Sequence, residues 1–489
     1  MKLGNLSKIT ALTVTALITA CGGSGTTSLG GPSLTPTATG STVAIGTITG
    51  FGSVFVNGVR FDVSSAQISV NGQSATQAQL KVGQVVKVRG TANKSTGQGV
   101  AQSVEFEHDL EGAITAINTT DSTLVVLGHT VKVDGSTSFD PRITGGALSG
   151  LKVGDVIEVS GLPDAAGVIH ATRIELENGV TGSEARGKVS LLDTVKKQFN
   201  LDKLVVDYST ATLQNFTSGA PANDDLVKVR GTVNAAGVLV ATRVERKTPD
   251  DVRGNGTEVE LEGLISDFTS ATDFKVNGQA VHVSATTVIK VDGNLANVKL
   301  ALNVKVEVEG TVDAAGVLQA TKIEIHLGAG AGLRGKVDSI DTANRKLVVL
   351  GVQIELAPMA RFEDNSSLKL ERFSLTDVAV GDTVQLRGAE VVTAGVSKII
   401  ASRLERVGAT AEVRINGNVS AAASPQFTVV GLNIQTNATT VFRTDGATKT
   451  ATEFFAAALN KNVEVKATVA GTVVTASEVS LRTKSDNDD

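Results

Sequence analysis

With 489 residues the chain exceeds the roughly 100–200 residues of a usual single domain, so its length predicts several domains or internal repeats. Lysine and arginine total 45 against 50 aspartate and glutamate residues, which disfavours the basic surface that nucleic-acid binding needs. Aromatic residues make up only 3%, with no tryptophan, so stacking platforms for single-stranded nucleic acids or sugar rings are scarce. We therefore expect no nucleic-acid partner.

The N-terminus carries Lys2 and Lys8 around a short apolar run, residues 9–20, that ends at Cys21. This stretch resembles a bacterial lipoprotein signal peptide, with residues 18–21 as the lipobox. The resemblance implies cleavage after residue 20, acylation of Cys21 by chains such as palmitate, and, because Gly22 rather than aspartate follows, sorting to the outer membrane. An ordinary secretory signal with an incidental cysteine is the alternative. The apolar run is shorter than the roughly 20 residues of a membrane-spanning helix.

Residues 21–44 comprise the lipidated cysteine and a segment rich in glycine, serine, threonine and proline, which predicts a flexible linker. Cys21 is the only cysteine of the chain. Disulfides and thiol catalysis are therefore not expected in the mature protein.

Six tandem repeats follow the linker, at a spacing of roughly 65–80 residues, a length near that of the smallest independent domains. The last part of the unit is nearly identical in residues 231–245 (GTVNAAGVLVATRVE) and 310–324 (GTVDAAGVLQATKIE). The predicted repeats and a short acidic tail have these boundaries: 45–110, 111–180, 186–248, 261–327, 334–408 and 412–483, with the tail at 484–489.

Each repeat contains strand and turn patterns in the same order. A hairpin carries an X-Gly turn, as at Asn57-Gly58 and Asn277-Gly278, whereas the third repeat has Asp202-Lys203 there. A later strand is preceded by a glycine or asparagine, which predicts positive φ at that position: Gly83, Gly154, Asn303, Gly381 and Asn460. In the final hairpin, Gly237 is predicted to adopt the left-handed conformation of a type I turn plus bulge.

We predict an all-β protein of six small OB-like Greek-key barrels, because each repeat holds five strands with a short helix or loop before the fourth. Residues 454–459 are the best helical candidate. Immunoglobulin-like sandwiches are the alternative, but they need about 100 residues each.

The combined repeat pattern, G-x-[IV], F-x-V-x-G-x-x-[VI]-x-V, [LV]-x-V-G-D-x-V-x-V-x-G and G-x-x-x-A-x-x-[VI]-E, resembles a bacterial repeat, domain-of-unknown-function family fifty-six sixty-six. Repeats three and six match less well, since repeat six has Ala467 in place of the strand-end glycine. The resemblance implies a secreted or lipid-anchored envelope protein. It implies no activity and no catalytic residue.

Candidate chemical groups are few. The five histidines show no metal-ligand spacing in sequence: His108, His129, His170, His282 and His326. The repeat ends with an Arg/Lys-x-Glu pattern, as in Arg173-Ile174-Glu175, which predicts an exposed ion pair because residues i and i+2 share one face of a strand. This glutamate recurs at these positions: Glu105, Glu175, Glu245, Glu324 and Glu405.

Other polar or glycine-rich segments are interpreted as solvated linkers. These are Asp224-Asp225, Asp250-Asp251, the terminal Asp486 to Asp489 and the stretch Gly328 to Gly332. None has the alternating ligand spacing of a calcium loop or the lysine of a phosphate loop. We predict no catalytic, cofactor-binding or metal residue.

These patterns predict a non-enzymatic, lipid-anchored outer-membrane protein, facing the periplasm or the cell surface, that acts as a binding or spacer element. Its partners are the membrane and an envelope protein or polysaccharide. The alternative is a carrier or enzyme whose site forms in one divergent repeat or between repeats. That alternative predicts a concave cluster of His170 or His282 with carboxylates from a neighbouring repeat.

Overall fold

The computed structural model describes residues 41–179, 182–216, 218–247, 256–292, 298–370 and 372–482. The predicted signal peptide, Cys21, nearly all of the linker, Asp250-Asp251 and the acidic tail lie outside the described residues. The described part is built of β-strands with one α-helix, which confirms the all-β fold class.

The first three repeats, called modules one to three, divide into strands β1 to β19. Module one contains β1 (Thr42–Phe51), β2 (Val54–Val56), β3 (Val59–Asp62), β4 (Gln67–Val70), β5 (Gln73–Ala75), β6 (Val85–Asn93) and β7 (Gln98–Phe106). Module two contains β8 (Leu110–Asn118), β9 (Thr123–Val126), β10 (His129–Lys132), β11 (Ser138–Phe139), β12 (Val156–Pro163) and β13 (Ile169–Leu176). Module three contains β14 (Ser183–Asp193), β15 (Gln198–Leu201), β16 (Leu204–Asp207), β17 (Thr212–Gln214), β18 (Leu226–Val233) and β19 (Leu239–Arg246).

Modules four to six contain the remaining strands and the helix. Module four has β20 (Glu258–Phe268), β21 (Asp273–Val276), β22 (Gln279–Val291), β23 (Lys305–Val312) and β24 (Leu318–Ile325). Module five has β25 (Ala331–Asp341), β26 (Lys346–Val349), β27 (Val352–Asn365), β28 (Thr383–Thr393) and β29 (Val396–Val407). Module six has β30 (Glu412–Ala423), β31 (Gln426–Val429), β32 (Leu432–Gln435), β33 (Val441–Thr444), β34 (Ala447–Lys449), α1 (Ala451–Ala457), β35 (Asn462–Ala470) and β36 (Val473–Arg482).

Each module closes into a five-stranded barrel. In module four, for example, β20 pairs antiparallel with β21, β21 with β22, β22 parallel with β24, and β24 antiparallel with β23, which returns to β20. The other modules repeat this connectivity. The order first, second, third, fifth, fourth, with a parallel pair between the third and fifth strands, is that of an OB barrel.

The first strands of the modules also pair with one another. Strand β1 of module one lies parallel to β20 of module four, with Thr42 opposite Glu258. Strands β8 and β14 pair antiparallel and join modules two and three, and β25 and β30 join modules five and six. The described part of the chain therefore forms three sheets of twelve strands, one of which unites modules that are not neighbours in sequence.

The apolar cores follow from this pairing. Alternate residues of each strand point into the barrel, as Val86 and Val88 do in β6, and both are at most 1% exposed. The cores of modules two and three are continuous, and so are those of modules five and six. Val43 and Ile45 of β1 belong to the core of module four, so module one completes a neighbour as well as itself.

The turn predictions are confirmed where φ was predicted to be positive. Asn57 and Gly58 have φ of 51° and 72°, as a type I′ turn requires, and Gly237 has φ of 77°. The residues before the fourth barrel strand are also left-handed in five modules: Gly83, Gly154, Asn303, Gly381 and Asn460. In module three Asp224, with φ of 70°, occupies the equivalent turn.

Three predicted linkers are wrong in part. Asp224-Asp225 forms the turn that leads into β18, and Asp225 Oδ1 accepts a hydrogen bond from Arg246 Nε at 2.7 Å. The stretch Gly328 to Gly332 runs into β25, which begins at Ala331. Likewise β1 begins at Thr42, inside the predicted linker 21–44, because residues 42–45 pair with module four.

The helical candidate of module six is confirmed as α1. Thr450 caps its N-terminus by accepting a hydrogen bond from the backbone N–H of Glu453 at 3.2 Å. Phe454 of the helix packs on Phe427 and Phe442, with ring centroids 5.4 and 5.0 Å away. The helix thus closes one end of the barrel.

The recurring strand-end glycine sits at a β-bulge in the final hairpin. At Gly310 a Cβ atom would lie 2.1 Å from the carbonyl oxygen of Gln319 on the opposite strand. The same close approach occurs in four other modules: at Gly90, Gly161, Gly231 and Gly388. Module six keeps the bulge with Ala467, so the local backbone there accommodates a methyl group.

Replacing this glycine should destabilise the barrel. In Gly310→Ala the added methyl group overlaps backbone on the facing strand, so we expect the free energy of unfolding to fall by about 1–3 kcal/mol. Urea unfolding of the variant and the parent chain measures the change. Gly330→Ala, where a Cβ meets nothing within 4 Å, is the control and should change stability little. Equal stability of Gly310→Ala and the parent would contradict the steric explanation.

Candidate binding cleft

A charged cleft of about 140 Å³ lies between modules one and three, beside the segment that connects modules one and two. Its lining comes from the β4–β5 turn, the segment after β7, and the outward faces of β14, β18 and β19. On β18, Val227 and Val229 enter the core, so the intervening Lys228 and the following Arg230 point outward. The lining residues are Asn71, Gly72, Gln73, Glu107, Glu184, Lys228, Arg230, Arg243, Glu245 and Lys247. None of them is aromatic.

Ion pairs organise the wall of the cleft. Lys247 Nζ lies 2.8 Å from Glu107 Oε1, which ties module three to the segment that connects modules one and two. Arg243 pairs with Glu245 at 2.8 Å. Four cationic side chains thus face three carboxylates among the lining residues. The cleft carries an excess of one positive charge.

Two guanidinium groups stay accessible in this wall. Arg230 and Arg243 lie opposite each other on β18 and β19, and their side chains are 52% and 46% exposed. Arg230 and Lys228 both pair with Glu184, whose pKa is far below its usual range. Burial would raise this pKa, but His108 and Lys228 lower it by more. A guanidinium has five N–H donors, so each arginine keeps donors beyond those of its ion pair.

His108 forms the buried floor behind the cleft. The residue is 0% exposed, and its Nδ1 and Nε2 atoms lie 2.9 Å from Glu158 Oε2 and 2.8 Å from Glu184 Oε1. Burial alone would lower the pKa of His108, but the hydrogen bond to Glu158 and the Glu184 carboxylate beside Nε2 raise it to about 9. The imidazole is therefore a cation at neutral pH and links module two to module three.

Asn71 connects this floor to the cleft. The backbone N–H of His108 donates to Asn71 Oδ1 at 3.1 Å, and Asn71 Nδ2 donates to Glu158 Oε2 at 3.2 Å. Asn71 itself has φ of 51° in the tight turn between β4 and β5. Module one thus positions the carboxylate that holds the imidazole.

His108 and its neighbouring carboxylates also have the residue types of a metal site. Ligand atoms of His108, Glu111 and Glu158 lie within 4.8 Å of one another, a separation that a cation would suit. Both ring nitrogens of His108 already face carboxylates, however, and Lys228 and Arg230 neutralise Glu184. The arrangement fits a charged imidazole better than a bound metal ion.

The histidines singled out by the alternative prediction lie elsewhere. His170 Nε2 is 3.3 Å from Asp164 Oδ2, and His282 Nδ1 is 2.7 Å from Asp273 Oδ1, each within its own module. His326 pairs with Asp292 of its own module at 3.3 Å, and His129 is buried, which lowers its pKa. His108 is the histidine that lies beside carboxylates of neighbouring modules. The sequence does not single it out, because Glu184 comes from another repeat.

The Arg/Lys-x-Glu ion pairs form as predicted, but not all are exposed. Arg173 lies 2.8 Å from Glu175 and Arg403 lies 3.2 Å from Glu405, yet these arginine side chains are only 8% and 6% exposed. Arg173 donates to the carbonyl oxygen of Val82 in module one, and Arg403 to that of Thr137 in module two. The prediction of exposure is wrong in modules two and five, because neighbouring modules cover these faces.

Sequence comparison identifies the repeats. The family described as Domain of unknown function (DUF5666) matches residues 44–105, 111–175, 186–245, 262–324, 334–405 and 416–480. The chain belongs to the DUF5666 family. The six matched DUF5666 segments coincide with the six barrels, which confirms a protein built of repeats of unknown function.

Further comparisons add little about function. The solved structure described as "drosophila Unr CSD456" is similar at 13% identity, over 45% of this chain and 96% of that chain, with a TM-score of 0.12. No curated protein matches the chain in sequence. Within the part of the chain that the structure describes, no helix is long and apolar enough to cross a bilayer.

Removing the imidazole should destabilise the junction of modules two and three. His108→Gln leaves Glu158 and Glu184 without their shared cation, so we expect the free energy of unfolding at pH 7 to fall by about 3 kcal/mol or more. Chemical denaturation measures the loss. His282→Gln removes a solvent-exposed pair and should leave the stability unchanged.

The same variant tests the charge of His108. Because the pKa is raised from 6.5 to about 9 on folding, the stabilisation is full below pH 6.5 and is lost as the pH rises through 9. The parent chain should therefore lose stability across this window relative to His108→Gln. Parallel pH profiles for the two proteins would show that the imidazole is not a buried cation.

Proposed function

We propose that the chain is a non-enzymatic lipoprotein of the outer membrane that binds an acidic saccharide of the cell envelope in the cleft between modules one and three. The observation that carries the proposal is the pair of accessible guanidinium groups, Arg230 and Arg243, set side by side in that cleft. Guanidinium forks match the geometry of carboxylate and phosphate groups. The absence of aromatic side chains among the lining residues favours a ligand recognised by charge rather than by ring stacking.

The size of the cleft supports a small acidic group. About 140 Å³ is below the roughly 300 Å³ at which sites for whole small molecules begin. One acidic sugar unit of a longer polymer suits this volume, with the rest of the polymer outside. Asn71, Gln73 and Glu245 supply further donors and acceptors for hydroxyl groups.

The arrangement of modules favours a binding role over a spacer role. Pairing of β1 with β20 brings residues more than 200 positions apart into contact, so the chain folds back on itself. A spacer gains length by keeping its modules in line. The enzyme alternative finds no support at His108, because its ring is buried and both nitrogens face carboxylates.

The proposed location at the outer membrane depends on lipid anchoring at Cys21. The run that ends at Cys21 resembles a lipoprotein signal, and several acyl chains at about 0.8 kcal/mol per buried CH₂ give stable anchoring. We expect Cys21→Ala to move from the membrane fraction to the soluble fraction after a salt wash. A variant that stays membrane-bound would contradict lipid anchoring at Cys21.

Ligand binding is expected to depend on the two arginines. Calorimetric titration of the mature chain with acidic oligosaccharides should show binding that neutral oligosaccharides of equal length lack. Loss of one charge-assisted hydrogen bond costs about 1.5–3 kcal/mol, so Arg230→Gln or Arg243→Gln should weaken binding about tenfold or more. The control is Arg414→Gln, which removes a similarly exposed arginine that pairs with Glu412 in module six.

Several outcomes would contradict the binding proposal. Equal binding of neutral and acidic oligosaccharides would remove the role of charge. Equal loss of affinity in Arg414→Gln would place the ligand outside the cleft. Cleavage or modification of the oligosaccharide would favour the enzyme alternative.

A further inference from the structure

Module four carries a cluster of five carboxylates, in two adjacent cross-strand rows, on the outward side of its barrel. On β20, Leu261 enters the core, and on β23 Val306 and Val308 do so, which places the alternate glutamates outside. The outward carboxylates that lie in two adjacent cross-strand rows are Glu260, Glu262, Glu307, Glu309 and Glu324, whereas Glu258, also outward, lies opposite Thr311. Three of them are nonetheless almost fully buried: Glu260, Glu262 and Glu307 are 2%, 2% and 3% exposed. Neighbouring modules must cover this face.

Modules one and two supply that cover. The backbone N–H of Thr47 donates to Glu262 Oε2 at 2.6 Å, and Asn57 Nδ2 donates to the carbonyl oxygen of Glu260 at 3.1 Å. From module two, strand β12 contacts β20, and the N–H of Ala165 donates to Asn303 Oδ1 at 3.1 Å. The acidic face is therefore an interface between modules.

Among the residues that the structure describes, the lysines that face these carboxylates are too few to pair with all of them. Lys305 pairs with Glu262, and Lys322 lies 2.7 Å from Glu309 and 3.0 Å from Glu324. The third is Lys94 of module one, whose Nζ lies 3.6 Å from Glu260 and 3.4 Å from Glu309. Three lysines oppose five carboxylates, so two negative charges remain. Arg361 and His326 interact electrostatically with Glu262, the carboxylate that already forms an ion pair with Lys305.

The two excess charges map to Glu260 and Glu307. Each has an Oε2 atom that is buried and forms no hydrogen bond. Burial raises the pKa of Glu260 to about 7, with Lys94 opposing and Glu309 reinforcing the shift. Burial and the nearby Glu260 raise the pKa of Glu307 well above its ordinary value, which Lys322 only partly offsets. Both carboxyls are thus best accommodated in their protonated forms.

We infer that the contact of module four with modules one and two is a proton-dependent latch, closed while Glu260 and Glu307 are protonated and loosened when both ionise. Ionisation places two like charges in a face without water, and an unpaired buried carboxylate is strongly disfavoured. Separating module four from its neighbours admits water to that face. The five strands of module four stay paired with one another on opening, although the part of its core that Val43 and Ile45 of β1 complete is then exposed.

The raised pKa of Glu260 sets the direction in which pH changes the stability of this contact. In the folded chain the pKa of Glu260 is about 7 rather than 4.5, so the favourable contribution of its protonated form is full below pH 4.5 and is lost as the pH rises through 7. This is opposite to the behaviour of an ordinary ion-paired carboxylate, which stabilises at higher pH. Acidification should therefore tighten the contact.

Hydrogen exchange of the full mature chain tests the latch. Protection of the amides in β1 and β20, corrected for intrinsic exchange, should fall about tenfold or more between pH 5.5 and pH 8. The double variant Glu260→Gln plus Glu307→Gln carries neutral amides of the same shape and should keep its protection at pH 8. Glu324→Gln, on the same face but paired with Lys322, should show the parent fall and serves as the control.

A second variant keeps the test decisive if the double variant folds poorly. Lys94→Met removes the cation nearest Glu260 and should move the midpoint of the fall to higher pH, whereas a merely structural effect would lower protection equally at every pH. The same fall in the double variant as in the parent would overturn the latch. Restoration of protection at pH 8 by millimolar Ca²⁺ in the parent would also overturn it, in favour of a cation site.

Discussion

Strand β1 belongs to two barrels at once, and the arrangement of the modules depends on this sharing. Val43 and Ile45 enter the core of module four, while Ala44 and Ile48 enter the core of module one. A strand buried on both faces shows no alternation of polar and apolar residues. The sequence TVAIGTITG of β1 indeed contains no charged residue. Because the cores are small, sharing a strand adds buried apolar area that neither barrel has alone.

Docking through first strands changes the meaning of a repeated motif. The Arg/Lys-x-Glu pair is half-exposed at Arg243 in module three but almost fully buried at Arg173 and Arg403. The buried arginines donate to main-chain carbonyls of other modules as well as to carboxylates. The same residues therefore face solvent in one module and hold modules together elsewhere, depending on which face a neighbour covers.

The two polar clusters of this protein, the cleft with His108 and the acidic face of module four, lie between barrels rather than inside them. Barrel interiors are apolar, so polar groups gather on outward faces, and these become low-dielectric sites where modules meet. The cleft with His108 behind it forms among modules one, two and three. The acidic face of module four meets modules one and two. Modules one and two thus take part in both junctions. Because each cluster is assembled from residues of several repeats, no single repeat shows a recognisable site motif.

The sequence by itself determined the local features: an all-β chain, six barrels, the positive φ at positions such as Gly83 and Asn303, and the turn at Gly237. These depend on residues close together in the chain, and glycine or asparagine there has a direct steric cause. Only the tertiary structure decided that module one pairs with module four, that Arg173 is buried, and that His108 meets Glu184. Those contacts join residues 76 to more than 200 positions apart, and strand alternation says which side chains point outward but not which module covers them.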